Sequence, residues 1–190
     1  MALAVGRIAP QQEVLARWAY SEIVSPRVGG LYHQRAELAG ATELALGGIP
    51  FDQIPRDHHP DLAAAATFIR ATYSAIITQH PRFLLAEWDK EKVGAVFVDK
   101  WFNTPHRDIP MKFRDFVRWN RNVSIDGSLH PPDPRIAADA IPRGTPPLTE
   151  EAPIVTGVAP GFLVDGYLRC LLFLRDAPET AKLPMWVGLN

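Results

Sequence analysis

Cysteine is almost missing from this chain: Cys170 stands alone among 190 residues. No intramolecular disulfide can form, and a zinc site built on a cysteine cluster is excluded. Long apolar runs are missing too. No stretch reaches the ~18 residues a membrane-spanning helix needs. Nor is there an excess of one charge. Lys+Arg number 20 and Asp+Glu 21, for a net charge of −1. The chain as a whole is therefore no polycation drawn to nucleic acid or acidic lipid. There is no Walker loop, no dinucleotide-binding glycine pattern and no Gly-x-Ser-x-Gly elbow. The first ten residues have no basic start and only a short apolar run, so no signal peptide is expected. These absences predict a soluble, cytoplasmic protein without a membrane partner.

Proline, by contrast, is plentiful at 18 residues, and seven of these lie between Pro131 and Pro153. That stretch reads as a long irregular excursion. Elsewhere the composition is globular, with 47% hydrophobic and 22% charged residues.

The first half reads as helical. Val14, Leu15, Trp18 and Ala19 recur at helical spacing over Gln11 to Ile23, with Pro10 at the tolerated first-turn position. A second helix is predicted from Leu31 to about Leu46, stopped by Gly47-Gly48. Ile49 to Pro55 reads as extended, an edge strand given its prolines. A third helix begins near Pro60, with Leu62, Ile69, Tyr73, Ile76 and Ile77 as its apolar stripe, and ends at Pro81. Asp57-His58-His59-Pro60-Asp61 matches no metal-ligand spacing. Helix capping by Asp57 or Asp61 accounts for it, and no metal site is expected.

The second half reads as mixed. Val93 to Val98 is a strand candidate, followed by the polar turn Asn103 to Asp108. Met111 to Asn122 has helical spacing, with Phe113, Phe116, Val117 and Asn120 on one face. Arg114, Arg118 and Arg121 share another face. With Arg107, and with Phe113 and Trp119 interleaved, they form a basic surface suited to phosphate or nucleic acid. The alternative for the same residues is a solvated helix face. Ile154 to Val158 and Phe162 to Val164 read as a hairpin around Ala159-Pro160-Gly161. A helix follows from Gly166 to about Arg175, and Leu183 to Val187 forms a last strand.

The turn Asp165-Gly166 opens that helix and places Arg169 in its first turn. Backbone N–H groups at a helix start attract anions. Gly166 permits a sharp turn or the close approach of a ligand. Asp165 can cap the helix start or hold a metal, and Arg169 offers a planar fork for phosphate. The alternative is an Asp-Gly turn opening a buried helix, with Arg169 paired to a surface carboxylate. Cys170 lies inside the apolar helix and reads as a small buried hydrophobe.

Phe162-Leu163-Val164-Asp165-Gly166-Tyr167-Leu168-Arg169, the apolar helix and the closing strand Leu183-Pro184-Met185-Trp186-Val187 resemble the ParB/sulfiredoxin-like superfamily. The resemblance covers about residues 154–188. Residues 93–125 or 49–77 would supply the opening of the same domain. It implies nucleotide binding, with phosphates held by Gly166, Tyr167 and Arg169, and NTP hydrolysis or phosphoryl transfer with magnesium accompanying a nucleoside triphosphate. On this hypothesis Arg107 or Arg118 would add positive charge, and Asp165 and His106 are the catalytic candidates. Two positions depart from the pattern. Leu168 stands where histidine is frequent, and Tyr167 where sulfiredoxin's reactive cysteine would fall. With no helix-turn-helix before Asn190, a chromosome-partition protein is not expected. The expected architecture is α+β: a helical region 1–90 and a mixed domain 91–190 that contains the excursion 131–153, as one core or two. The alternative function is a non-catalytic module that associates with nucleic acid or a partner through the Arg107–Arg121 face.

Overall fold

The computed structural model describes residues 5–25, 49–98, 111–115, 143–144, 151–157 and 161–190. The fold is α+β and divides into two compact units. One comprises Met1–Leu85, Leu148–Glu151 and Gly188–Asn190; the other comprises Ala86–Pro147 and Ala152–Val187.

In the first unit, β1 (Ile8–Pro10) pairs antiparallel with the start of β2 (Arg82–Trp88), Ile8 opposite Leu84. Pro10 ends β1 and serves as N-cap of α1 (Gln11–Ile23). No side chain of its own caps that start. The Gln11 N–H donates instead to the Pro81 carbonyl at 3.1 Å, which satisfies one orphan donor of the first turn. α2 (His59–Ile77) packs on α1, burying Leu62, Ala65, Ala66 and Ile69 beside Val14, Leu15 and Trp18. Arg70 interrupts α2 with φ −149° and ψ 88°. Two short 3₁₀ turns, Phe51–Gln53 and Arg56–His58, precede α2.

The second unit carries a mixed sheet in the order β7 (Leu183–Leu189), β5 (Ile154–Val155), β6 (Phe162–Asp165), β3 (Phe97–Val98) and β4 (Met111–Lys112). β5 runs antiparallel to β6 and parallel to β7, with Ile154 opposite Trp186. β3 runs parallel to β6. α4 (Tyr167–Asp176) follows β6 directly and packs with α3 (Lys90–Ala95). Leu163, Cys170, Leu171, Val155, Met185 and Phe113 lie in the shared core.

Several expectations change. Residues 49–55 are not an edge strand, because Pro50 and Pro55 each start a 3₁₀ turn. Val93 to Ala95 is helical rather than extended. The Asp89 carboxylate caps α3 by accepting from the Lys92 N–H at 2.8 Å, and only Phe97–Val98 remains strand. Met111–Lys112 is strand, held by pairing with Phe97 and Val98, and helical backbone begins at Phe113. Neither Asp57 nor Asp61 caps α2, whose N-cap is His58 without a side-chain bond. In its stripe, Leu62, Ile69 and Ile77 are buried, while Tyr73 and Ile76 are half-buried. The helix expected at 31–46 lies outside the described residues, as does most of the proline-rich excursion. Strand, turn, helix and closing strand over 162–189 are found where the sequence places them. Among the described residues no helix is long and apolar enough to cross a membrane.

Candidate functional site at the start of α4

The β6–α4 junction is built by one residue. Gly166 takes φ +92° and ψ 22°, the left-handed conformation that glycine adopts without penalty. It turns the chain from strand to helix in a single step. It also lies against the strand lead-in: a Cβ at Gly166 would stand 2.5 Å from Pro153 Cβ. Pro153 is held in turn, its carbonyl accepting from the Trp186 N–H at 2.8 Å. The close approach that requires glycine here is therefore to Pro153, within the protein.

α4 has no side-chain cap and no acidic residue in its first turn. Its first helical hydrogen bond runs from the Cys170 N–H to the Gly166 carbonyl at 2.9 Å. The positive end of the helix dipole falls on the Gly166–Arg169 segment. Arg169 lies in that segment and donates through Nη2 to Asp165 Oδ2 at 2.8 Å. Both side chains are largely buried, 12% and 15% exposed. Asp165 is the last residue of β6 and precedes the N-cap, so it orients the guanidinium rather than capping the helix. The Tyr167 hydroxyl donates to the Leu163 carbonyl at 3.1 Å, and its ring meets Phe113 edge-on at 6.0 Å.

Cys170 is fully buried, and burial pushes its thiol up to about 12. A thiol held protonated is a poor nucleophile. The cysteine serves the core, as its place in the helix suggested.

Asp165, Gly166, Tyr167 and Arg169 are thus brought together in one turn. His106, Arg107 and Arg118 lie outside the described residues, as do Trp119 and Arg121. Of the arginine face, Arg114 is described. Its guanidinium donates to the Gly94 and Glu91 carbonyls at 3.2 and 3.0 Å, which satisfies the end of α3.

A second polar cluster, in the first unit, was not anticipated. Arg17 is 5% exposed. It bonds Glu13 Oε1 at 3.1 Å, Asp52 Oδ1, and Glu151 Oε2 at 3.6 Å. Its guanidinium lies 4.4 Å from the Phe51 ring centre. Burial opposes the charge, but Glu151, Asp52 and Glu13 together outweigh it and hold the arginine above its ordinary pKa. Glu13 and Arg17 are four residues apart in a helix, which is a readable cue. Asp52 and Glu151 come from distant segments and leave no local trace.

No protein-family model matches the chain, and no curated protein or solved structure does either.

Proposed function

We propose that the second unit is a ParB/sulfiredoxin-like nucleotide-binding domain whose phosphates sit at the start of α4. The observation that carries this reading is the uncapped helix start after Gly166, with Arg169 held in its first turn. An anion there gains both the helix dipole and a guanidinium fork. Asp165 presets the arginine and competes with an incoming phosphate for it. Magnesium relieves that competition. One carboxylate together with substrate phosphates is an ordinary magnesium environment, and Asp165 is the carboxylate at hand. In this reading the ion arrives with the nucleotide.

Binding is the primary role and turnover the secondary one. Hydrolysis or phosphoryl transfer would draw its base from His106. The second reading, a nucleic-acid or partner-binding module on the Arg107–Arg121 face, is weakened at Arg114, which already serves the end of α3.

The test is a thermal shift with CTP, ATP and GTP, with and without magnesium. Ligand at ten times its Kd adds about 1.4 kcal/mol, a rise of about 3–6 °C at this chain length. The reading expects that rise with magnesium and its loss in Arg169→Ala. An unchanged midpoint at millimolar nucleotide would sink it.

A further inference from the structure

His59 opens α2 in the first unit and serves no part of the nucleotide reading. Its ring lies 4.7 Å from the Phe51 ring, tilted by 34°. Phe51 also carries the Arg17 guanidinium and meets Tyr20 edge-on at 5.8 Å. His59 Nε2 is shut off from solvent and has no hydrogen-bond partner. A neutral imidazole leaves a bare lone pair there. A protonated one would bury an N–H without an acceptor, which proteins avoid.

The surrounding charges are divided. Arg17 of α1 and Arg56 of the second 3₁₀ turn oppose a positive ring, while Glu13 of α1 and the Ile54 backbone favour it. Asp52 and Glu151 are already engaged with Arg17. At the start of α2, the N-cap His58 and Asp61 approach each other at 4.0 Å. The first turn of α2 is the positive end of its dipole, a further bias against an imidazolium. Burial outweighs Glu13 and Ile54, and the ring's pKa falls below its ordinary value.

We propose that His59 is an acid-sensitive latch: protonation of Nε2 drives the ring off Phe51 and loosens the Arg17–Asp52 clasp on the 3₁₀ turns. The sign follows from linkage. A histidine whose folded pKa is lowered takes up its proton first in the unfolded chain. Stability is therefore full above the unfolded value of about 6.5 and falls as pH drops below it, until the folded value is passed. Urea unfolding of the full chain from pH 8 to pH 5 tests this against His59→Gln, which stays neutral throughout. The wild-type folding constant should fall relative to the variant by up to about tenfold per pH unit below 6.5. Parallel curves would overturn the proposal. Should the variant not fold, NMR titration of the wild-type imidazole decides. A midpoint below 6.5 with concerted shifts of the 51–54 amides supports the latch. A midpoint at or above 6.5, or amides that do not respond, overturns it.

Discussion

Two arginines organise the two units, and they do so differently. Arg17 gathers carboxylates from three separate segments: its own helix, the 3₁₀ turn at Asp52, and Glu151. Arg169 is held by Asp165, four residues away across the turn that α4 opens from. The first arrangement ties distant pieces of chain together, and its guanidinium is surrounded by the protein's own anions. The second orients a side chain locally, beside a helix start with no acidic residue of its own. A long-range cluster of that kind is a device for folding. A local pair at an uncapped helix start fixes a single side chain in place.

Substitution should separate the two most sharply at the arginines themselves. Arg17→Met removes a buried guanidinium shared by Glu13, Asp52 and Glu151, with Glu13 keeping only Arg7, and should cost about 3–5 kcal/mol by urea unfolding. Arg169→Met removes the charge-assisted hydrogen bond to Asp165 and should cost about 1.5–3 kcal/mol. Equal losses would erase the distinction between hub and local pair.

The glycines give a second, smaller contrast. Gly166→Ala meets Pro153 and must hold φ +92°, so strain and overpacking act together, at about 2–4 kcal/mol. In the first unit, Gly188→Ala would put its Cβ 2.6 Å from the His80 ring. There only packing is at stake, at about 1–3 kcal/mol. A neutral Gly166→Ala, read by thermal melting, would mean that the turn is not closed by Pro153. The smallest effect is expected at α3. Asp89→Ala loses an N-cap worth about 1 kcal/mol. A similar change in the Arg169→Met background would show that the α3 cap and the α4 start act independently.

What the sequence made legible follows the same division between local and distant. α1 and α2 could be read because their apolar positions repeat at helical spacing and prolines mark their starts. The Gly166 turn, α4 and β7 could be read because Asp-Gly and Ala177-Pro178 punctuate them. β1 was hidden by its three-residue length and its closing proline. β2 was hidden because apolar Leu84 and Ala86 alternate with buried Phe83 and Leu85, which blurs the period of two. Val93 to Ala95 was misread because a buried apolar run fits strand or helix equally, and the Asp89 cap decided between them. At the candidate site the letters located Asp165, Gly166, Tyr167 and Arg169. The alternative of Arg169 paired to a carboxylate was legible too, but not that the carboxylate is Asp165 or that Pro153 is what the glycine accommodates. Arg17's partners were out of reach for the same reason: pairing across distant segments leaves no pattern in a local window.

The central claim is that the start of α4 binds a nucleotide's phosphates through Arg169. Isothermal titration of magnesium nucleotide into the wild type, Arg169→Gln and Asp165→Asn tests it most directly. Saturable binding by the wild type, lost in Arg169→Gln, is expected. Magnesium should matter less for Asp165→Asn, because the competing carboxylate is gone. Wild-type binding that survives Arg169→Gln unchanged would contradict it.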